Sequence, residues 1–122
     1  MKKKTILIID DERDLAAMVG LRLKANDFLV SEAFTAEEGV KKAEEERPDL
    51  VLLDILLPDG DGYEICRKLK SNPKTKDIAI LIFTASSLKG LAKKAIEAGA
   101  ADYVVKPFEP KELLEKIRKA LG

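Results

Sequence analysis

Acidic residues stand directly after two stretches that have the pattern of buried β-strands. Residues 5–9 are followed by Asp10 and Asp11, and residues 50–53 are followed by Asp54. Both stretches are apolar without alternation, which is typical of parallel strands that are covered on both faces. A single Asp after a strand is more simply a turn or cap residue. Two acidic strand ends favour a shared site, because the carboxyl ends of such strands line the ligand crevice of an open α/β sheet.

Two further predicted strands end in residues that suit the same site. Residues 78–83 are followed by Thr84, and residues 103–105 are followed by Lys106. Two carboxylates about 4 Å apart repel each other by roughly 4 kcal/mol at an effective dielectric constant of 20, so the acidic cluster requires positive charge. A hard divalent cation that binds oxygen ligands meets this requirement, and Mg²⁺ fits best. Lys106 adds a fixed positive charge.

This set of side chains predicts phosphoryl transfer to a carboxylate. The carboxylate of Asp54 is a competent nucleophile for forming an aspartyl phosphate. The reaction asks the protein mainly to hold the reactants in line and to neutralise charge on the phosphoryl oxygens. The cation and Lys106 would neutralise that charge, and the Thr84 hydroxyl can donate a hydrogen bond to a phosphoryl oxygen.

Strand and helix patterns alternate along the whole chain, which we interpret as one domain over residues 1–122. This alternation predicts an α/β fold of the doubly wound, flavodoxin-like (βα)5 type, with a parallel five-stranded sheet of order 2-1-3-4-5. In that order the first and third strands are neighbours. The predicted strands cover residues 5–9, 28–34, 50–53, 78–83 and 103–105, and the predicted helices cover residues 12–25, 35–46, 62–70, 88–98 and 110–121.

Local signals support several of these helices. Thr35 with Glu38, and Asp61 with Glu64, have the spacing of capping boxes. Glu12 is interpreted as a negative charge that favours the start of the first helix. The positions expected to face the core in the first and fourth helices are Leu15, Met18, Val19 and Leu23, and Leu88, Leu91, Ala92, Ala95 and Ile96.

Composition excludes several classes of function. The chain has no histidine and one cysteine, Cys66, so histidine-based catalysis, a histidine-ligated zinc site and an internal disulfide are ruled out. Lys plus Arg and Asp plus Glu are both 22, which argues against direct nucleic-acid binding through a basic surface. No apolar run is long enough for a membrane span or an export signal, and we expect a cytoplasmic protein without a membrane partner.

The chain resembles the receiver domain of bacterial two-component response regulators, and in plan the single-domain chemotaxis regulator. The similarity covers nearly the whole chain and keeps the family's order and intervals. The matching motifs are Ile8-Ile9-Asp10-Asp11-Glu12, Asp54-Ile55-Leu56-Leu57-Pro58 with Asp61-Gly62, Phe83-Thr84-Ala85, Ala98-Gly99-Ala100 and Tyr103-Val104-Val105-Lys106-Pro107-Phe108.

The resemblance implies a role for each site residue. Asp54 would be the phosphoacceptor and Lys106 would pair with the phosphoryl group, with a cis bond between Lys106 and Pro107. Thr84 and Tyr103 would form a switch pair, in which the hydroxyl moves toward the phosphate and the aromatic ring fills the space left behind. The Mg²⁺ ligands would be Asp11, Asp54 and the backbone carbonyl of Leu56, with Asp10 acting through water.

Some positions keep a simpler interpretation or depart from the family. Thr84 could be an ordinary strand-end residue, and Tyr103 could be a packing residue. Gly60 stands where relatives usually carry a bulky apolar residue. Leu56 and Ser86 occupy positions that modulate phosphate lifetime in the family, so the resemblance leaves that lifetime open.

The resemblance also implies partners: a sensor histidine kinase or phosphotransfer protein as donor, and a downstream effector or output domain as target. It implies a monomer or weak dimer that catalyses only its own phosphorylation and dephosphorylation. Two alternatives remain open from the sequence. One is a receiver-like binding module or designed scaffold that is not phosphorylated. The other is a haloacid-dehalogenase-like phosphatase with Asp10 as nucleophile, although Glu12-Arg13-Asp14 does not fit that motif.

Overall fold

A five-stranded parallel sheet lies between two layers of helices. The computed structural model describes residues 2–85 and 89–122. The strands run in the order β2-β1-β3-β6-β7 and all their pairings are parallel, which confirms the predicted fold and strand order. The elements are β1 Thr5–Ile9, α1 Arg13–Ala25, β2 Leu29–Ala33, α2 Ala36–Glu46, β3 Leu50–Leu53, β4 Leu56–Leu57, β5 Gly60–Asp61, α3 Gly62–Ser71, β6 Ala79–Thr84, α4 Leu91–Glu97, β7 Asp102–Val105 and α5 Pro110–Leu121.

The two faces of the sheet form two separate cores. One face packs against α1 and α5, and the other packs against α2, α3 and α4. All four residues of β3 are buried, as expected of a central strand covered on both faces. The predicted edge position of β2 is also correct. Cys66 is a buried residue of the second core, and its thiol lies 3.3 Å from the carbonyl oxygen of Ala98.

A short antiparallel hairpin, β4–β5, follows the central strand in a segment where no strand is predicted. Leu56 pairs with Asp61, and Leu57 pairs with Gly60. Pro58 and Asp59 form the tip of the hairpin, a composition that is typical of turns. The backbone of residues 56–61, which follow Asp54, is therefore held by strand pairing and is not an open loop.

The fourth helix is shorter than predicted. It begins at Leu91 because its N-cap residue, Gly90, has a φ of 78°, a left-handed conformation that cannot belong to an α-helix. The predicted start at Leu88 lies outside the described residues. Three inward assignments are also wrong, since Met18 is 63% exposed, Ile96 is 70% exposed and Ala92 is exposed as well. In α1, Ala16 and Gly20 are buried together with the predicted Val19 and Leu23.

None of the helices in residues 2–85 and 89–122 combines the length and the hydropathy needed to cross a lipid bilayer.

Helix α2 lies close to β1 because it carries a glycine at the contact. A Cβ atom at Gly39 would lie 2.6 Å from Cδ1 and 2.9 Å from Cγ1 of Ile9, which is fully buried. Gly20 in α1 is different, because a Cβ there would lie at an ordinary 3.5 Å from the Val30 side chain. Gly39 and Gly20 therefore form a matched pair for substitution, since packing requires a glycine at the first position and not at the second.

We expect Gly39→Ala to lower the free energy of unfolding by about 1–3 kcal/mol, because the added methyl group overpacks the contact with Ile9. Gly20→Ala should leave stability unchanged or raise it by up to about 1 kcal/mol, since alanine favours the helix. Urea unfolding followed by circular dichroism measures both. Equal effects of the two substitutions would contradict the close packing of α2 on β1.

Candidate functional site

The acidic residues and the lysine meet at the carboxyl edge of the sheet because strand pairing continues past each strand. The backbone N–H of Asp54 donates to the carbonyl of Ile9 at 3.0 Å, and the N–H of Lys106 donates to the carbonyl of Thr84 at 2.7 Å. The register of the sheet therefore fixes the backbone of these residues before their side chains interact.

The Lys106 ammonium is the centre of the site. Its Nζ lies 2.6 Å from Oδ2 of Asp10, 3.3 Å from Oδ2 of Asp54 and 3.4 Å from Oε1 of Glu12. The side chains of Lys106, Asp10 and Asp54 are buried, whereas that of Glu12 is 57% exposed. Charge-assisted hydrogen bonds of this kind are stronger than neutral ones, particularly away from solvent.

Two aromatic residues pack next to the Lys106 side chain. Nζ of Lys106 lies 4.4 Å from the ring centroid of Phe83, and the rings of Phe83 and Phe108 are 5.4 Å apart. A cation over an aromatic face is stabilised by the quadrupole of the ring. The peptide bond between Lys106 and Pro107 is cis, as the resemblance implies.

Burial and charge act in opposite directions on this pair. Burial raises the pKa of the Asp10 carboxyl, although hydrogen bonds from Lys106 and from the backbone N–H of Glu12 oppose the rise. Burial alone would lower the pKa of Lys106, but the hydrogen bond to Asp10 and the charges of Asp54 and Asp10 raise it. The lysine, the stronger base of the two, therefore keeps its proton and its positive charge next to Asp54.

The chemistry of the donor set fits a hard cation. Carboxylate oxygens of Asp10, Glu12 and Asp54 all lie within 4.8 Å of one another. Oxygen atoms grouped in this way are the ligands that Mg²⁺ prefers. Asp11, a predicted ligand, is exposed and lies outside this group, where it lines a groove together with Leu56.

Glu12 contributes to the site in a way that sequence reasoning missed. It is the N-cap residue of α1, but its side chain forms no capping hydrogen bond. Only the tertiary position of Lys106 reveals the contact between the two residues. The sole local signal was a third acidic residue directly after Asp10 and Asp11.

Gly62 allows the loop after β3 to close against Asp54. A Cβ at this position would collide with the backbone oxygen of Asp54 and lie 2.5 Å from Cα of Ile55. The backbone N–H of Gly62 donates to the carbonyl of Ile55 at 2.8 Å. The N–H of Leu56 donates in turn to Oδ1 of Asp54 at 3.2 Å. This close approach fixes the direction of the Asp54 carboxylate.

Asp59 fastens the tip of the same loop to another helix, which sequence reasoning also missed. Its two carboxylate oxygens accept hydrogen bonds from the backbone N–H groups of Ala36 at 2.7 Å and Glu37 at 3.1 Å. These hydrogen bonds lower the pKa of Asp59. A Cβ at Gly60 would lie 3.1 Å from that of Ala36, so the absence of a side chain at Gly60 lets the hairpin approach α2.

The predicted switch pair occupies different environments. Thr84 is fully buried, and its hydroxyl has no hydrogen-bond partner within the described part of the chain. Tyr103 is half-buried. Lys116 of α5 lies 5.1 Å from the Tyr103 ring centroid and donates to the Tyr103 carbonyl at 2.7 Å. Ser86, predicted to modulate phosphate lifetime, lies outside the described residues.

Comparisons with known proteins agree with this geometry. A family model described as the response regulator receiver domain matches residues 6–118. The phosphate regulon transcriptional regulatory protein PhoB of Pseudomonas aeruginosa is 36% identical over 121 residues, which cover 99% of this chain and 53% of PhoB. The chain spans about half the length of the curated relatives it matches.

Solved structures give the same result. A CheY-like response regulator receiver domain protein from Methanospirillum hungatei is 33% identical with a TM-score of 0.91, covering 98% of this chain and 94% of that one. The BeF3-activated DrrB receiver domain, from Thermotoga maritima, is 33% identical with a TM-score of 0.87, covering 98% of both chains.

The unpartnered hydroxyl of Thr84 should reduce stability in the resting protein. We expect Thr84→Val to raise the free energy of unfolding by about 1 kcal/mol, because a buried polar group without a partner is unfavourable. Thr75 is the matched control, since its buried hydroxyl donates to the carbonyl of Leu69 at 2.6 Å. Thr75→Val should lower the same free energy by about 1–2 kcal/mol. Urea denaturation distinguishes the two, and destabilisation by Thr84→Val would show that its hydroxyl has a partner.

Proposed function

Since the chain belongs to the response regulator receiver domain family, we propose that it is a phosphorylation-activated signalling module whose phosphoacceptor is Asp54. The chain has no histidine, so the phosphoryl group would come from the phosphohistidine of a histidine kinase or phosphotransfer protein. The observation that carries the proposal is the Lys106 ammonium, which lies 3.3 Å from the Asp54 carboxylate in a buried acidic cluster.

In the proposed reaction, an oxygen of Asp54 attacks the phosphorus atom of the donor. A new P–O bond forms as the P–N bond of the phosphohistidine breaks, and the electron pair leaves on the imidazole nitrogen, which takes a proton from water. Lys106 neutralises part of the charge on the phosphoryl oxygens. The hydroxyl of Thr84, buried beside this edge of the sheet, supplies a hydrogen-bond donor for the product.

Mg²⁺ is the cofactor that this proposal requires. When bound, it supplies positive charge that stabilises the phosphoryl oxygens. Asp11, Asp54 and the backbone carbonyl of Leu56 would hold it directly, and Asp10 would act through water. The grouping of carboxylate oxygens from Asp10, Glu12 and Asp54 supports a hard cation at this edge of the sheet.

Phosphorylation would change the surface of the protein that a downstream partner binds. A phosphoryl group adds a charge of nearly −2 next to Thr84 and biases an element that has two arrangements. Thr84 would move toward the phosphate and Tyr103 would turn inward, which changes the surface offered to a downstream effector or output domain. We place this monomer or weak dimer in the cytoplasm, where its only catalysis is its own phosphorylation and dephosphorylation.

The phosphatase alternative receives little support from the contacts of Asp10. Both of its carboxylate oxygens already accept hydrogen bonds, one from Lys106 at 2.6 Å and one from the backbone N–H of Glu12 at 3.0 Å. Asp54 also accepts two hydrogen bonds, but they are longer, at 3.3 Å from Lys106 and 3.2 Å from the backbone N–H of Leu56. Asp10 is therefore the more tightly held carboxylate and the poorer nucleophile of the two. The binding-module alternative differs from the proposal in one measurable property, which is whether the protein takes up phosphate.

Incubation with phosphoramidate and Mg²⁺ should add one phosphoryl group to the wild-type protein, and Asp54→Asn should abolish the addition because the nucleophile is lost. Intact-mass spectrometry measures the product. Asp59→Asn is the matched control, since it removes an acidic group from the same loop but keeps an oxygen that can accept from Ala36. An unmodified wild-type protein would favour the binding module, and stoichiometric labelling of Asp54→Asn would place the phosphate elsewhere.

Phosphorylation should also change the environment of Tyr103. The inward turn of its ring would remove it from the Lys116 ammonium, which lies 5.1 Å from the ring centroid in the resting protein. We expect the ring proton signals of Tyr103 to shift on addition of phosphoramidate and Mg²⁺, while those of the buried Tyr63 change less. Unchanged Tyr103 signals in fully phosphorylated protein would remove this residue from the switch.

A further inference from the structure

The side chain of Glu12 is used for something other than the start of its helix. As the N-cap residue of α1 it is close to free backbone N–H groups, but its carboxylate accepts no capping hydrogen bond from them. Its Oε1 lies 3.4 Å from Nζ of Lys106 instead. An acidic residue that served only the helix dipole would have no reason to point toward the lysine.

Asp10 places Glu12 at this position. Oδ1 of Asp10 accepts a hydrogen bond from the backbone N–H of Glu12 at 3.0 Å, while Oδ2 accepts from Lys106 at 2.6 Å. One buried carboxylate therefore fixes both the lysine and the backbone from which the Glu12 side chain extends. The backbone that carries the Glu12 side chain is therefore held close to Lys106 by the same carboxylate that binds the ammonium.

The three acceptors around Lys106 differ in depth. Asp10 is fully buried, the Asp54 side chain is 5% exposed and the Glu12 side chain is 57% exposed. An ammonium group has three N–H donors, and each has one carboxylate within reach. Glu12 is the acceptor on the solvent side, and it opposes the attraction of the ammonium toward Asp54.

We propose that Glu12 is a positioning residue for Lys106, which keeps the ammonium shared among three carboxylates and so prevents it from closing onto the Asp54 oxygens. The inference rests on the proposed function of Asp54 as nucleophile. An oxygen that is tightly paired with an ammonium is less available for attack on phosphorus. Glu12 therefore holds the positive charge near the reacting atoms while the nucleophile stays free.

The test compares Glu12→Ala with Asp14→Ala. Asp14 is an exposed acidic residue in the first turn of the same helix and makes no contact with Lys106, so it controls for charge at the helix start. Glu12→Gln keeps an oxygen acceptor without the charge and should restore part of the lost function. The first readout is the ¹⁵N signal of the Lys106 ammonium in the resting protein, assigned by its loss in Lys106→Arg. The second is the rate of phosphorylation by phosphoramidate at saturating Mg²⁺.

We expect Glu12→Ala to shift the Lys106 ammonium signal and to slow phosphorylation by about two- to fivefold, a size set by the exposure of the pair. Glu12→Gln should be intermediate, and Asp14→Ala should match the wild type in both readouts. An unchanged Lys106 signal in Glu12→Ala, or equal effects of Glu12→Ala and Asp14→Ala, would overturn the inference. The ammonium signal is read without phosphorylation, so failure of Asp54 as phosphoacceptor is detected separately.

Discussion

One buried ammonium group holds the acidic edge of this sheet together. Without Lys106, carboxylates from the ends of β1 and β3 would face each other away from water, where their repulsion is several kcal/mol by an order-of-magnitude estimate. Lys106 reaches them only because β7 and β1 belong to the same parallel sheet, so that residues 96 positions apart in the chain lie 2.6 Å apart. The strand order is therefore a condition for assembling this cluster. A sheet in another order would leave the acids without their counter-ion.

The backbone around Asp54 shows how the fold holds the carboxylate of this residue in one direction. Gly62 lets the chain pass against the backbone of Asp54, where any side chain would collide. Asp59 then ties the tip of the β4–β5 hairpin to the first N–H groups of α2. The loop is anchored at both ends, one within the site and one at a neighbouring helix. A group held in this way needs little reorganisation during a reaction, which is the main contribution that phosphoryl transfer asks of a protein.

Sequence reasoning succeeded where a local pattern determines the result. The apolar runs predicted β1 and β3, and the acids directly after them had to follow the strands to one edge. It failed where a role depends on tertiary contact. In the sequence, Glu12 resembles any acidic residue at a helix start, and only its contact with Lys106 in the fold shows its role. In the same way, Asp59 resembles any turn residue until its hydrogen bond with the backbone of Ala36 is known. Met18 fits the predicted apolar stripe of α1, but the face that is buried is formed by Ala16, Val19, Gly20 and Leu23. Met18 lies two residues from Ala16, about 200° around the helix, and therefore faces away from the sheet.

The site contains a buried hydrogen-bonding group that is not satisfied by the residues that this structure describes. Thr84 buries a hydroxyl without a partner among the described residues, and Lys106 divides its three N–H groups among carboxylates at unequal distances. A phosphoryl group on Asp54 would offer oxygen acceptors to both, and thus satisfy the buried hydroxyl at the moment when it adds charge. In the proposed switch, the cost of leaving the Thr84 hydroxyl without a partner would supply part of the free energy that shifts Thr84. If the Thr84 hydroxyl already had a hydrogen-bond partner, a phosphoryl group on Asp54 would provide a smaller gain in free energy for a movement of Thr84.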